Sequence, residues 1–433
     1  MAYKIILSAT LILFCLSGNA QLGNILNKAK NKTQQRIDSK IDQTIDKGLD
    51  KAEGKDNKKS NKSTQQNNDD SDENVSEKPV SDGKSFSNFA KFDFIPGDSI
   101  IYAEDFSQDE LGELPLNWNT SGTGEVSTLD GIPGKWLRLH KQFRYLSNNT
   151  AAFGENFTFE FDIVLQLKTT GWMYPNIKVG LFATEGTEGT SNEFLRNQSQ
   201  HALVEAELNP GESRYSRASI ASYLEQATHY TSSNMECAVM EKFYFKPLHI
   251  SFHFQKERLR MWVNSEKMFD IPKAVPLGKI LNQIIFSVGS TNYDKDSYGV
   301  YISNLKVATG KPDTRHKLME EGKFSTTGIL FDMQSAVVKP ESYAVVKEIA
   351  GVLKQHNDLR IKVVGHTSSD GDDKANMELS DKRAAAVKNI LVSEFKIDGS
   401  RIETQGKGET EPVADNSKRE GKIANRRVEF IKL

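Results

Sequence analysis

The spacing of apolar residues changes along the chain and divides it into segments. From about residue 92 to 309, apolar residues recur at every second position, which places them on one face of a β-strand. FTFEFDIVLQL (157–167) shows this pattern most clearly. Its aromatic and aliphatic side chains share one face, and the opposite face carries Glu160, Asp162 and Gln166.

Further strands are predicted in the same part of the chain. FYFKPLHISFHFQKERLRMWVNSEKMFDI (243–271) predicts two or three strands joined by polar turns, and IIFSVGS (284–290) and YGVYISNLKVA (298–308) each predict one more. Many short strands, without a helical period of comparable strength, favour an antiparallel β-sandwich over residues 86–310.

The last part of the chain, residues 317–433, alternates between strand and helix patterns. Strands are predicted at TGILFD (327–332), IKVVGHT (361–367), RIETQGKG (401–408) and RRVEFIKL (426–433), and helices at PESYAVVKEIAGVLKQH (340–356) and MELSDKRAAAVKNILVSEF (377–395). Pro340 suits the first turn of its helix because a helix leaves that N–H unused. This order indicates an α+β domain.

Residues 1–20 have the form of a secretory signal peptide, with Lys4, an apolar run over 5–16 and small residues at 18–20 before the cleavage site. The apolar run is too short to span a bilayer. Cys15 raises the alternative of a lipoprotein signal, but that signal needs a small residue before the cysteine, where Phe14 stands. The sequence therefore predicts an exported protein with no transmembrane span.

Residues 21–85 are predicted to form a helical and disordered tether. Over 22–53, apolar residues recur every three or four positions, which is the spacing of one stripe on a helix. This stripe belongs either to a solvated helix or to an association helix, for self-pairing or for docking on an outer-membrane protein. From Gly54 to about Phe86, large apolar residues are almost absent, so this part cannot bury enough surface to offset the entropy of ordering.

Charge and cysteine content narrow the function further. The chain has 56 basic and 58 acidic residues and a net charge of −2, so no long-range field favours nucleic acid or an anionic membrane. If the signal peptide is removed, Cys237 is the one remaining cysteine, and no intramolecular disulfide can form.

Three short islands near the C-terminus are the most specific motifs: GHTSSDG (365–371), an N-x-x-L-S-x-x-R-A run (376–384) and ANRRVEF (424–430). They resemble the OmpA-like C-terminal domain of the OmpA family, a module that holds peptidoglycan non-covalently in bacterial envelopes. The resemblance implies an α+β fold, a non-enzymatic role without a cofactor, and a location in the periplasm, associated with the outer membrane of a Gram-negative cell.

The same resemblance implies a site for diaminopimelate, a peptidoglycan residue whose side chain ends in an ammonium and a carboxylate. A guanidinium suits the carboxylate, and an oxygen acceptor suits the ammonium. Arg383 matches the family's arginine, Asn376 its asparagine, Arg426 the first arginine of NRRV and Asp332 the acidic position after the first strand. Each has a structural alternative: a surface arginine, a helix cap, an ion pair of the fold and a turn, respectively.

One position departs from the family pattern. Ser368 stands where the family usually carries an aspartate after GHT. Serine accepts a hydrogen bond from an ammonium but supplies no countercharge, so the affinity for the ligand should fall. Asp370, or the pair Asp372 and Asp373, are the alternatives for the missing charge.

The sandwich segment resembles the concanavalin A-like lectin and laminin-G fold. The residues that carry the resemblance are DFSQDELGELPLNW (105–118), KERLRMWVNSEKMFDI (256–271) and VYISNLKVA (300–308). The resemblance implies an antiparallel β jelly-roll sandwich and leaves a glycan open as its ligand.

Three further groups of residues carry side chains of the kinds used in catalytic or metal sites. Glu160 and Asp162 share a strand face, as the carboxylates of sandwich glycosidases do, but the third carboxylate of that pattern is absent, and a polar solvent face is expected. His249 and His253 lie on a predicted strand and are expected to be structural. The turn at 292–296 offers oxygens for calcium but no calcium-loop pattern. No catalytic residue, cofactor or metal is therefore expected.

Together these observations predict a non-catalytic cell-envelope protein. It would bind peptidoglycan through residues 317–433 and link it to the outer membrane or to an envelope partner. The alternatives are a lectin-like protein whose sandwich recognises a glycan, a polysaccharide-cleaving enzyme, and an OmpA-like domain that serves only protein interaction.

Overall fold

The computed structural model describes residues 93–168, 171–196, 200–294, 296–310 and 314–433. The predicted signal peptide (1–20) and tether (21–85) lie outside the described residues, and both stay predictions. The described residues all belong to one compact unit. Within them, no helix is both long enough and apolar enough to cross a bilayer.

The first part of this unit is built from antiparallel strands. They are β1 Ser99–Glu104, β2 Asn119–Thr120, β3 Gly124–Leu129, β4 Ile132–Leu139, β5 Arg144–Leu146, β6 Asn156–Leu167, β7 Ile177–Phe182, β8 Leu203–Asn209, β9 Arg217–Leu224, β10 Ala227–Thr231, β11 Met235–Glu236, β12 Pro247–Gln255, β13 Arg258–Val263, β14 Glu266–Ile271, β15 Gln283–Val288 and β16 Tyr298–Thr309. A short helix, α1 Ala238–Glu241, and a 3₁₀ turn, Asn192–Leu195, lie between strands.

Among the described residues these strands form two sheets. One has the order β14-β13-β12-β6-β16-β4-β3, with β1 paired to β16, and the other has the order β10-β9-β8-β7-β15-β5-β2, with β11 paired to β9. The apolar faces of both sheets contribute to one core, where Phe161 of β6 meets Phe286 of β15 edge to face at 5.2 Å between ring centroids. The predicted antiparallel sheets are confirmed, and the jelly-roll connectivity stays a prediction.

The second part is a smaller α+β layer. Its strands are β17 Lys323–Thr326, β18 Ile361–Gly365, β19 Ile402–Gly406 and β20 Val428–Lys432, and its helices are α2 Thr314–Met319, α3 Tyr343–Gln355, α4 Asp373–Ser393 and α5 Arg419–Asn425, with 3₁₀ turns at Pro340–Ser342 and Gly399–Arg401. The sheet order is β17-β20-β18-β19, and β18 and β19 run parallel. Apolar faces of α3 and α4 cover this sheet and complete a second core.

The predicted strand at 327–332 is wrong. The first strand of this sheet lies earlier, at Lys323–Thr326, and Phe331 makes only a single bridge, with Val338. The chain reverses directly after Phe331, because the backbone N–H of Ser335 donates to the carbonyl of Asp332 in a turn. The apolar residues before Asp332 therefore serve the core from a loop.

The expected solvent face of β6 is also wrong. Glu160 and Asp162 are only 3% and 5% exposed. Cross-strand pairing places Glu160, Ser251 and Trp262 in one row on the outer face of the sheet. Phe94 packs on Trp262 at 5.2 Å between ring centroids, and Ala344 of α3 joins them, so the C-terminal part covers this face.

His249 makes the burial of these two carboxylates tolerable. Its Nδ1 lies 2.7 Å from Oδ1 of Asp162, and its Nε2 lies 3.2 Å from Oε2 of Glu160. Lys306 Nζ lies 2.8 Å from the second oxygen of Glu160, and Asn304 Nδ2 donates to the second oxygen of Asp162 at 2.8 Å. The predicted structural role of His249 therefore takes the form of a buried ion network. Within the described residues, no group of three or more His, Cys, Asp or Glu side chains is arranged to hold a metal ion.

Candidate functional site

The loop that follows β18 is tied to the first turn of α4. Asp372 caps the helix, since its side chain accepts from the backbone N–H of Ala375 at 3.0 Å. Asn376 is therefore not the cap. Its Nδ2 donates to the carbonyl oxygens of Ser368 (3.3 Å) and Asp370 (3.1 Å) and to Oε2 of Glu409 (2.7 Å). This buried amide holds the loop in one conformation.

Ser368 supports a carboxylate two residues further on. The serine is only 4% exposed, and its hydroxyl donates to Oδ2 of Asp370 at 3.0 Å. The other oxygen of Asp370 lies 2.6 Å from Nζ of Lys422 on α5. Asp370 is about half exposed and retains free acceptor positions, because a carboxylate has about four lone-pair sites. A carboxylate therefore lies at this loop despite its absence at position 368.

Arg383 projects from α4 toward the turn after Phe331. Its Nε donates to the carbonyl of Ser335 at 2.9 Å, and its guanidinium carbon lies 4.8 Å from the centre of the Phe331 ring. Burial, and then the charge of Arg426, lower the pKa of Arg383 to about 10. Among the described residues, no carboxylate lies within ion-pair distance of it. This guanidinium is thus held in place without an anionic partner.

The two arginines of ANRRVEF have different roles. Arg427 is buried and lies 2.8 Å from Glu429, which also contacts Lys323 at 2.7 Å and His366 at 3.4 Å. Burial would raise the pKa of Glu429, but these partners lower it to about 2. Arg427 therefore forms an ion pair within its own domain. Arg426 instead reaches the sandwich, where its Nη2 lies 3.3 Å from Oδ2 of Asp105.

Asp332 is exposed and forms a turn. Its carbonyl accepts from the N–H of Ser335, and this turn presents the carbonyl of Ser335 to Arg383. Asp332 therefore forms the turn that was one of its two predicted roles, and its predicted ligand contact stays a prediction.

The remaining candidates converge on one region. Asn376 and Arg383 lie seven residues apart on α4, about 10 Å along one helix face. Lys422 and Arg426 lie four residues apart at the end of α5 and also share a face. Asp370 contacts the first residue of each pair: its carbonyl accepts from the side-chain amide of Asn376, and its carboxylate lies beside the ammonium of Lys422. The site thus offers a carboxylate at one end and a guanidinium at the other.

The sandwich borders this region, which sequence reasoning missed. Gln108 Nε2 donates to the carbonyl of Ser417 at 3.3 Å, and the neighbouring Asn416 accepts from the N–H of Ser369 at 3.4 Å. Arg419 of α5 lies between Glu104 and Asp109 at the end of β1. These partners are about 300 residues apart in sequence, so no local pattern identifies them.

Comparison with known proteins concerns the C-terminal part. Residues 330–426 match the OmpA family. The chain is 45% identical over 101 residues to Outer membrane porin F of Pseudomonas aeruginosa (23% of this chain, 29% of the relative), and 35% identical over 103 residues to Peptidoglycan-binding protein ArfA of Mycobacterium bovis (24% and 31%). A peptidoglycan-associated lipoprotein from Burkholderia pseudomallei is 28% identical with a TM-score of 0.23, covering 25% of this chain and 89% of that one.

The chain spans less than a third of the length of these two sequence relatives. The predicted OmpA-like C-terminal domain is confirmed by these matches. The concanavalin A-like resemblance of the sandwich stays a prediction.

Proposed function

We propose that this protein is a non-catalytic component of the bacterial cell envelope that binds peptidoglycan non-covalently through its OmpA-like domain. The observation that carries the proposal is Arg383, a half-buried guanidinium with no carboxylate partner among the described residues. It faces the same region as Asp370, a carboxylate with free acceptor positions. This pair suits a ligand that carries one carboxylate and one ammonium.

Diaminopimelate in the peptide stem of peptidoglycan has this chemistry. Its carboxylate would accept hydrogen bonds from the terminal nitrogens of Arg383, whose Nε is already engaged by Ser335. Its ammonium would donate to Asp370, which Ser368 and Lys422 hold in position. Both contacts join opposite charges, and such hydrogen bonds are roughly twice as strong as neutral ones. Burial and the charge of Arg426 disfavour the charged form of Arg383. A bound anion would stabilise that charged form.

The relatives support this reading and the proposed location. One of them is named for peptidoglycan binding and another for the outer membrane. We place the protein in the periplasm, associated with the outer membrane, where it would link the cell wall to that membrane or to an envelope partner.

The test is co-sedimentation of the full-length protein with purified peptidoglycan sacculi. Wild type is expected in the pellet, and Arg383→Ala in the supernatant. Arg360→Ala is the matched control, because Arg360 is an exposed arginine of the same domain that pairs with Glu403. Far-UV circular dichroism of each variant establishes that it is folded. Equal sedimentation of wild type and Arg383→Ala would contradict the proposal.

A lectin-like sandwich is a second candidate with one supporting observation. Trp172 and Tyr215 are exposed, and a hydrogen bond of 2.6 Å between Tyr174 and Glu212 joins their loops. Exposed aromatic rings beside a carboxylate form a surface on which a sugar can stack and donate hydrogen bonds. Glycan binding that Trp172→Ala abolishes and Arg383→Ala retains would favour this candidate.

A further inference from the structure

We infer that Asp105 of the sandwich sets the charge selectivity of the peptidoglycan site by neutralising Arg426, so that Arg383 is the one guanidinium left for a ligand carboxylate. This inference rests on the proposed function. It means that a carboxylate of the sandwich contributes to ligand selectivity, which the OmpA-like domain alone cannot supply.

The carboxylate of Asp105 is oriented from the sandwich side. Its Oδ1 accepts from the backbone N–H of Ser107 at 3.1 Å, while its Oδ2 lies 3.3 Å from Nη2 of Arg426. The side chain of Asp105 is only 12% exposed and that of Arg426 is 36% exposed, so the ion pair is partly shielded from water. A shielded pair retains more of its Coulomb attraction than an exposed one.

Arg426 would otherwise be available to the ligand. It follows Lys422 by four residues, directly after the last residue of α5, and Lys422 contacts Asp370 of the site loop. On α4, Arg383 follows Asn376 by two turns, and Asn376 contacts the same loop. Asn376 and Lys422 thus both contact the site loop, and each is followed by an arginine further along the chain. The positive charge of Arg426 contributes to the lowered pKa of Arg383, as expected when the two guanidinium groups lie in the same region.

The loop that carries Asp105 is fixed beside the site by further contacts. Gln108 donates to the carbonyl of Ser417, and Asn416 accepts from the N–H of Ser369 and from Nδ2 of Asn425. The sandwich therefore forms a wall of the site, and Asp105 is the carboxylate of that wall that contacts Arg426.

The consequence concerns the number of anionic groups the site accepts. With Asp105 in place, one unpaired guanidinium matches one carboxylate. Without the charge of Asp105, Arg426 would be a second unpaired guanidinium beside the ligand and would favour ligands with more negative charge. Asp105→Asn is the most conservative variant, because asparagine keeps the oxygen that accepts from Ser107.

The experiment is a calorimetric titration of the full-length protein with a diaminopimelate-containing muropeptide and with the same muropeptide amidated at the diaminopimelate carboxylate. Asp105→Asn is expected to bind the free-acid form about tenfold more tightly, the effect of one added charge-assisted hydrogen bond. The amidated form should gain little. Arg426→Ala should bind the free-acid form no more tightly than wild type, and the double variant Asp105→Asn/Arg426→Ala should lose the gain.

Unchanged or weaker binding of the free-acid form by Asp105→Asn would overturn the inference, and so would a gain that survives in the double variant. Arg383→Ala distinguishes a failure of this inference from a failure of the proposed function. If it abolishes binding while Asp105→Asn has no effect, the proposed function stands and only the inference fails. If it binds like wild type, the proposed function fails, and the inference fails with it.

Discussion

The guanidinium of Arg419 in α5 reaches the end of β1, where its Nη1 lies 2.9 Å from Oε2 of Glu104. Its other terminal nitrogen contacts Asp109. Glu104 is fully buried, and Arg419 is 15% exposed, so two charged groups from distant parts of the chain meet away from water. The sandwich and the OmpA-like domain are therefore joined by an ionic contact as well as by apolar packing.

Arg419→Ala should destabilise the protein strongly. Above pH 7, where the Glu104 carboxyl is ionised, removal of Arg419 leaves two buried carboxylates without their cation, and such a change costs about 3–5 kcal/mol. Urea unfolding followed by circular dichroism measures the loss. Arg360→Ala, which removes an exposed arginine, should leave the unfolding midpoint close to that of wild type. Equal midpoints for both variants would show that the Arg419 contact does not form in solution.

Stability should decline between pH 4.5 and pH 7 because of Glu104. Burial raises the pKa of its carboxyl from 4.5 to about 7, against the opposing charge of Arg419. In this window the folded state binds a proton that the unfolded state has lost, so the free energy of unfolding falls as pH rises, by up to about 1.4 kcal/mol per pH unit.

Glu104→Gln removes that proton and should flatten the decline, while its amide oxygen still accepts from the N–H of Phe106. Urea midpoints at pH 5, 6 and 7 measure the slope. Glu403→Gln, at an exposed carboxylate, is the control. The same slope in wild type and Glu104→Gln would assign the decline to another group.

The sequence predicted the positions of the candidate residues on α4 better than the contacts that surround them. The spacing of Asn376 and Arg383 is local, and a helix of ordinary geometry places both on one face. The role of Asn376 was harder to predict from the sequence. The residue that caps the helix is Asp372, four residues earlier, and its identity as the cap was not evident from the sequence. Arg427 and Glu429 carry a local signal, since residues two apart on a strand share a face, but the burial that makes them a pair is not visible in the sequence.

The outer face of β6 shows the limit of periodicity. Alternation correctly separates Glu160 and Asp162 from the apolar face, yet it cannot tell whether solvent or another domain meets the polar face. Here α3 and Phe94 cover it, and His249 becomes part of a buried ion network. The pairing of Asp105 with Arg426 was missed for the same reason, because it exists only once both domains are placed.

His249 should make the protein less stable at alkaline pH. Burial would lower the pKa of the imidazole, but Asp162 and Glu160 outweigh it and raise the pKa from 6.5 to about 10. The stabilisation from the charged ring is complete below pH 6.5 and is lost as pH rises through about 10.

His249→Gln should be less stable at neutral pH by about 3–5 kcal/mol, because two buried carboxylates lose a cation. Its stability should also depend less on pH between 7 and 10 than that of wild type. His229→Gln, at an exposed histidine of β10, is the matched control. A wild-type slope that persists in His249→Gln would mean that the ring is neutral in the folded protein.

Asp370→Asn should weaken peptidoglycan binding without loss of the fold. The substitution removes the countercharge for a ligand ammonium but keeps an oxygen that accepts from the Ser368 hydroxyl. A hydrogen bond to a charged group contributes about 1.5–3 kcal/mol, so the dissociation constant should rise by about tenfold or more. Titration with a diaminopimelate-containing muropeptide measures the change.

The control is Asp373→Asn, at an exposed aspartate three residues later in the first turn of α4, which should bind like wild type. If Asp370→Asn also binds like wild type, the ligand ammonium lies elsewhere, and Ser368 with its neighbouring loop is not the acceptor end of the site.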